Sequence, residues 1–211
     1  MQDVQPGIRK DGPGGSPAVP SPLPGGRRPA GLGRRLLLGA ILPTLALAAC
    51  ATDPTTDYLF GFGDPVRGAA LYAPRNLGDT SRWADQPAEA AIAAAQLEFL
   101  NDQFRTNPRY APEVNPAVTQ QLGAAQAEMR AFLGIAPDAP AEPVIQALRH
   151  AAAALRAGSR ARAEAALSAP AFTAGPLVTL ARLAAMPRLP QTAAAAGMVA
   201  AEINRLDRIR G

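Results

Sequence analysis

The sequence predicts an all-α protein, with five or six short helices in an alanine-rich antiparallel bundle. Three observations support this class. Alanine dominates the second half of the 211-residue chain, and aromatic residues make up only 5% of it. Runs of strand-forming residues are nearly absent. After position 86, apolar residues recur at the helical spacings of three and four.

The first two predicted helices have clear ends. The first spans 87–106 and stops at Asn107-Pro108. The second follows the N-cap Asn115, has proline at its first position and closes at Gly134. Each has one apolar face that is predicted to be buried. These faces consist of Ala93, Leu97, Leu100 and Phe104, widened by Phe99, and of Val118, Leu122, Ala125, Met129 and Phe132.

Four more helices are predicted over 141–157, 159–168, 176–186 and 191–209. Gly158 suits the residue after the third helix, and Pro170 and Pro187 end the next two. Short connections favour antiparallel neighbours. The residues expected on the inner faces are Val144, Leu148, Ala151 and Leu155, then Leu177, Leu180 and Ala184, and finally Ala195, Val199, Glu202 or Ile203, Leu206 and Ile209.

The segment 58–86 is predicted to be an irregular arm before the helical domain of 87–211, because it contains several glycines and prolines. It also holds half of the aromatic residues that follow Cys50. Those residues either pin the arm to the helices or form a docking surface for a partner or for the membrane interface. They are Tyr58, Phe60, Phe62, Tyr72 and Trp83.

The net charge of +4 lies entirely before Cys50. The first 49 residues contain six basic and two acidic residues, whereas fifteen arginines balance fifteen acids from Cys50 onward. Because nucleic-acid binding depends on basic patches that neutralise phosphates, this balance argues against nucleic acid as a partner. The single cysteine also excludes an internal disulfide and a cysteine-rich metal site.

The residues before Cys50 are typical of a leader. Residues 1–33 are rich in proline, glycine and arginine without a hydrophobic period, which predicts disorder. Arg34 and Arg35 then precede an apolar run over 36–49. This run is shorter than the ~20 residues of a membrane-spanning helix and matches the roughly 7–15 residues of a signal-peptide core. The pattern therefore predicts a signal peptide over 34–49.

The end of this run, Leu47-Ala48-Ala49-Cys50, resembles the lipobox of bacterial lipoprotein precursors. The resemblance covers about residues 33–51. It implies cleavage before Cys50, a diacylglycerol on the Cys50 thiol and acylation of the new amino terminus. Residues 50–57 are then a short tether, and Ala51, where aspartate would retain the protein in the inner membrane, implies the periplasmic face of the outer membrane. The alternative is an inert cysteine that ends an ordinary core helix.

Two features depart from the lipoprotein pattern. The stretch before the basic pair is long, so Val19 and Leu32 are alternative translation starts. The sequence "GRRLLLG" also resembles a twin-arginine export signal. It lacks the serine or threonine that usually precedes the arginines, so export by the general secretory (Sec) route is the preferred prediction.

The sequence predicts neither a catalytic nor a metal site. His150, the only histidine, lies off the apolar stripe of its helix, so we expect it to be solvated. A histidine-based triad or a zinc site therefore has little support.

Three groups of acids are the candidates for carboxylate chemistry. Glu98 and Asp102 are four residues apart, with Arg105 within one turn, and we expect them to form ion pairs on a solvated face. The same expectation applies to Glu128 and Arg130. Glu202, near the inner face of the last helix, is the one acid that we expect to be a candidate for burial.

The sequence-based hypothesis is a non-enzymatic lipoprotein of the bacterial envelope. Its helical periplasmic domain scaffolds or assists an envelope assembly through an unknown protein partner, and acylated Cys50 contacts membrane lipid. The covalent lipid is the only attached group that is expected. One alternative is a glycan-cleaving or other envelope hydrolase that uses acids such as Glu98 or Glu202. Another is a carrier of an apolar ligand in a cavity between alanine-rich helices.

Overall fold

A computed structural model of the chain describes residues 64–210, and this part is all-helical, as predicted. Within it lie seven α-helices and one short 3-10 helix, Thr80–Trp83. The α-helices are α1 (Pro65–Leu77), α2 (Pro87–Thr106), α3 (Pro116–Leu133), α4 (Ala141–Arg156), α5 (Arg160–Ala166), α6 (Pro176–Ala184) and α7 (Pro190–Arg210).

Helix α2 is the centre of the described domain. It contacts α1, α3, α4, α6 and the 3-10 helix, while α7 packs against α1 and α3, and α5 joins α4 to α6. All residues of α2 from Ala90 to Glu98 are buried, most of them alanines. Because small side chains let neighbouring helices approach closely, one alanine-rich helix can be covered on every side.

The ends of α2 and α3 are those that the sequence predicts. The Asn115 carboxamide oxygen accepts from the Ala117 amide at 2.9 Å, and Gly134 has the left-handed conformation that closes a helix. The predicted inner residues of both helices are buried, except that Phe99 and Phe132 remain half-exposed. The structure confirms these boundaries. They could be predicted because the signals that set them are local in the sequence.

The prediction of an irregular arm over 58–86 is wrong for 65–77, which form α1. The Asp64 carboxylate caps this helix by accepting from the amides of Val66 and Arg67 at 3.0 and 3.2 Å. Pro65 occupies the first turn, where its missing N–H costs nothing. Gly68 and Pro74 argue against a helix at the level of the sequence, yet both lie within α1, with Pro74 in its last turn.

Asp64 also ties the start of α1 to the connection between α2 and α3. Its second carboxylate oxygen accepts from the Tyr110 hydroxyl and lies 3.1 Å from the Arg109 guanidinium. Tyr110 is buried and stacks on Phe104 with ring centroids 6.2 Å apart. The first described residue is therefore fixed by both local and long-range bonds.

Two residues predicted for inner faces lie outside instead. Leu177 was expected beside Leu180 and Ala184, but it is exposed, and the buried residues of α6 are Thr179, Leu180 and Leu183. Ile209, near the end of α7, is also exposed. In α6 the threonine faces inward because its hydroxyl donates to the Leu133 carbonyl at 3.1 Å.

Replacing Gly134 by alanine is expected to destabilise the domain more than the matched change Gly158→Ala. Both glycines have positive φ, +76° and +71°, where an L-residue costs roughly 1–2 kcal/mol. A Cβ at 134 would in addition clash with the Cβ of Ala174, whereas one at 158 meets nothing within 4 Å. Thermal unfolding of both variants measures the difference. Equal losses would show that the contact with Ala174 is not formed.

Candidate functional site

Most of the residues in the predicted anchor and docking surface lie outside residues 64–210. These are the signal-cleavage motif Leu47-Ala48-Ala49, the lipidation residue Cys50, and the aromatic residues Tyr58, Phe60 and Phe62. The two remaining aromatic residues lie in different environments. Tyr72 is exposed on α1, whereas Trp83 is buried and donates from its indole Nε1 to the Asn76 carbonyl at 2.7 Å. Trp83 therefore packs inward and does not form a docking surface with Tyr72.

The sequence predicts Glu98 on a solvated face, and this prediction is wrong. Glu98 is buried, with 1% of its surface accessible. It pairs with Arg130, which is also buried and lies on α3. Arg130 Nε and Nη2 donate to the two Glu98 carboxylate oxygens at 2.7 and 2.6 Å, and the Gln126 amide adds a bond of 2.6 Å. Bidentate pairing of this kind satisfies a carboxylate within the core.

Arg130 also holds the connection between α3 and α4. Its Nη1 donates to the carbonyls of Ala136, Pro137 and Ala139 at 3.2, 2.9 and 2.8 Å. The guanidinium thus joins α2, α3 and the following loop. Both carboxylate oxygens of Glu98 accept hydrogen bonds within the core, and the side chain is shielded from solvent. Glu98 is therefore not available as a general acid for the hydrolase alternative.

The other predicted surface ion pairs are also replaced by different contacts. Arg105 donates to the Asn101 side chain at 3.0 Å and to the Thr119 carbonyl at 2.9 Å. Asp102 accepts instead from the neighbouring side chain of Gln103. Glu128 does not pair with Arg130 but caps α7, where the Thr192 amide and hydroxyl donate to it at 2.9 and 3.0 Å.

Glu202 is buried, as the sequence suggested. Arg205 donates to both of its carboxylate oxygens, at 2.9 and 2.6 Å, and the Asn115 amide donates at 2.8 Å. The hydrogen bonds from Arg205 are the main reason that the pKa of Glu202 is lowered, against the opposing effect of burial. Arg205 also donates to the Glu113 carbonyl at 2.7 Å, so this cluster fastens α7 to the start of α3.

Replacing Glu202 by glutamine is expected to lower stability at neutral pH, with a difference that shrinks in acid. A carboxylate with a lowered folded pKa stabilises fully above its ordinary value of about 4.3. That contribution is lost as the pH falls from there through the folded-state pKa. Urea unfolding of both proteins at several pH values measures this. A stability difference that persists unchanged at pH ~2 would contradict the assigned role.

His150 is exposed on α4, as expected. Within residues 64–210 no group of three or more metal-ligating side chains lies close together. None of the helices in this range has the length and hydropathy to cross a membrane.

The most distinctive surface feature is an apolar groove beside α6. It has a volume of about 430 Å³ and is open to solvent. Leu177 and Val178 are 59% and 45% exposed, and both line this groove. The residues that line this groove, called the α6 groove below, are Phe132, Leu177, Val178, Ala181, Arg182 and Ala185.

Arg182 is the one charged residue that lines the α6 groove. It is half-exposed, and among the described residues no carboxylate pairs with it. A second depression of about 320 Å³ begins on the other side of Ala181 and includes Leu155, Ala184 and Arg160. Arg160 pairs with Glu164 at 2.7 Å, so Arg182 is the positive charge on this surface that has no carboxylate partner among the described residues.

The α6 groove was not predicted from the sequence, although the sequence contains a signal for it. The segment "PLVTLARLA" has apolar residues at 177, 178, 180 and 183, more than one face of a short helix can bury. The helical spacing predicts Leu177 on the inner face and makes no prediction for Val178. A two-turn helix with apolar residues on more than one face indicates that some of them are exposed.

Comparison of the chain with protein-family models, with curated proteins and with solved structures gave no match.

Proposed function

We propose that the chain is a lipid-anchored envelope lipoprotein whose helical domain is a non-enzymatic scaffold or accessory in envelope assembly. Acylated Cys50 holds it at the periplasmic face of the outer membrane after export by the Sec route. The domain binds a partner protein through the α6 groove.

The order of signals before residue 51 supports the anchor. A basic pair, an apolar run of signal-peptide length and the sequence Leu47-Ala48-Ala49-Cys50 follow one another as in lipoprotein precursors. The use of the only cysteine at the last of these positions supports modification of its thiol. Two or three acyl chains keep a protein on a membrane durably, because each buried methylene contributes about 0.8 kcal/mol.

The open α6 groove is the observation that carries the scaffold proposal. Exposed Leu177 and Val178 beside half-exposed Phe132 form a contiguous apolar surface, which soluble domains use for protein contacts. The buried acids Glu98 and Glu202 serve the fold, since each is bound by an arginine. The α6 groove is thus suited to binding another protein, whereas Glu98 and Glu202 are engaged in the fold and are not placed for catalysis.

The partner surface that fits the α6 groove best is an amphipathic helix with an acidic residue at its edge. Apolar side chains at helical spacing fill an open groove of this kind. A carboxylate beside them would accept a charge-assisted bond from Arg182, which has no acidic partner in residues 64–210. An enclosed cavity would favour a small apolar ligand instead, but this groove is open along one side.

Site-specific photocrosslinking in membranes of the native host tests this proposal. A p-benzoylphenylalanine at position 178 is expected to give a discrete protein adduct, and the same probe at Ala161, exposed on α5, is the matched control. The crosslinked partner peptide, identified by mass spectrometry, should be an amphipathic helix with an acid. Arg182→Glu should abolish the adduct, whereas Arg162→Glu should leave it.

The other outcomes would each contradict the proposed contact in a defined way. An adduct to phospholipid would support the carrier alternative. An adduct to a second copy of the chain would show self-association. The absence of any adduct that is specific to position 178 would remove the α6 groove as a functional surface.

A further inference from the structure

The solvent side of α1 combines arginine with exposed apolar residues. Arg67, Leu71 and Arg75 are spaced by four and therefore form one row along the helix, with Tyr72 beside it. Leu71 and Tyr72 are 37% and 48% exposed. These four residues are called the α1 face. The opposite side of α1, which includes Ala69, Ala70 and Ala73, is fully buried against the domain.

The α1 face is locally basic in a chain that is otherwise balanced. Residues 65–83 contain three arginines and one acid, Asp79, whereas the chain from Cys50 onward is neutral. Arg82 is held beside this face, because it donates to the Arg75 carbonyl at 2.9 Å and lies 4.8 Å from the centroid of the Trp83 ring. One further acid reaches the face from α7, where Asp207 pairs with Arg67 at 2.8 Å.

The position of α1 in the chain places this face close to the proposed anchor. The thirteen residues from Ala51 to Gly63 separate Cys50 from Asp64, which caps α1. At about 3.4 Å per residue they can span no more than roughly 48 Å. The diameter of a domain of this size is similar, roughly 40 Å. Helix α1 is the described helix nearest to Cys50 along the chain, so its exposed face lies well within reach of a membrane that holds this anchor.

We propose that the α1 face lies against the surface of an anionic phospholipid bilayer and thereby sets the orientation of the domain. The proposal rests on the lipid anchor of the proposed function. Arginines near a bilayer pair with lipid phosphates, and tyrosine is favoured at the level of the headgroups. Leu71 between Arg67 and Arg75 enters the boundary between headgroups and acyl chains, as apolar residues of surface-bound helices do. The α6 groove is on a separate helix and serves the proposed contact with the partner protein.

A spin label at single introduced cysteines tests this orientation, because an acylated Cys50 leaves no other thiol in the chain. The full mature lipoprotein carrying Tyr72→Cys, or the control Ala153→Cys on the exposed side of α4, is reconstituted into vesicles. One set contains phosphatidylethanolamine with phosphatidylglycerol, and the other contains phosphatidylcholine alone. In the anionic vesicles, the label at 72 should lose access to a water-soluble nickel chelate and gain access to oxygen. The label at 153 should keep its access to the chelate.

Charge variants show whether the arginines cause the effect. Arg75→Glu is expected to restore chelate access at 72 in the anionic vesicles, whereas Arg162→Glu on α5 should not. Equal chelate access at 72 and 153 in anionic vesicles would overturn the proposal, even though the protein floats with the vesicles through its lipid. Loss of flotation in both lipid mixtures would instead overturn the anchor and the α1 orientation together. An unchanged signal in Arg75→Glu would show that charge does not hold this face at the bilayer.

Discussion

Replacing Arg130 by methionine is expected to lower the free energy of unfolding by about 3–5 kcal/mol. The variant leaves Glu98 buried without its cation and removes the donor to the carbonyls of Ala136, Pro137 and Ala139. Domains of this size have a total stability of roughly 5–15 kcal/mol, so the loss is large. Urea unfolding of the purified protein, followed by far-UV circular dichroism, measures it.

Two comparisons make this result specific. The control Arg162→Met on the surface of α5 is expected to change stability by less than about 0.5 kcal/mol. The double variant Glu98→Leu with Arg130→Met should be less destabilised than Arg130→Met alone, because it no longer buries an unpaired charge. A loss below about 1 kcal/mol for Arg130→Met would mean that water or another group compensates Glu98, and the buried pair would then not organise the core.

Replacing Cys50 by serine is expected to abolish acylation and remove the protein from the outer-membrane fraction. A serine hydroxyl is far less nucleophilic than a thiolate and does not take the lipid in its place. We therefore expect a precursor that still carries residues 34–49. Metabolic labelling with an alkyne fatty acid, followed by membrane fractionation, reads both effects.

The matched control for this variant is Ala51→Asp. It should keep the acyl label but move the protein to the inner membrane, since the residue after the cysteine governs sorting in the proposed scheme. Incorporation of the fatty acid into Cys50→Ser at the level of the natural chain would show that another residue is modified. The lipidation assignment would then be wrong.

Local signals explain why most of the helices could be predicted from the sequence. Asn115 followed by Pro116 marks the start of α3, and Gly134 marks its end. The same pair of cues, Asp64 followed by Pro65, starts α1. The several glycines and prolines of the segment 58–86 predict an irregular structure, and that prediction does not take the Asp64 cap into account.

The environment of Glu98 could not be predicted, because its partner is on another helix. Helical spacing placed Glu98 and Asp102 on one side of α2 and suggested that this side meets solvent. In the structure α2 is covered on several sides by other helices, so a position beside the apolar stripe is also buried. The run from Ala88 to Ala95 contains only one residue that is not alanine or isoleucine, and an all-round apolar segment of this kind indicates a central helix.

The environment of Glu202 could be predicted only in part. Its position near the inner face of the last helix made burial a reasonable expectation, which the structure confirms. Its hydrogen bond from the Asn115 amide joins residues 87 positions apart. Contacts of that range depend on how α3 and α7 pack, and helical periodicity carries no information about them.

The measurement that tests the anchor at Cys50 most directly is the intact mass and the amino-terminal peptide of the protein from membranes of its native host. We expect a chain that begins at Cys50 and carries a diacylglycerol on its thiol, with an acylated amino terminus. An unmodified chain that still contains Arg34 to Ala49 would contradict the lipoprotein assignment and, with it, the proposed location in the envelope.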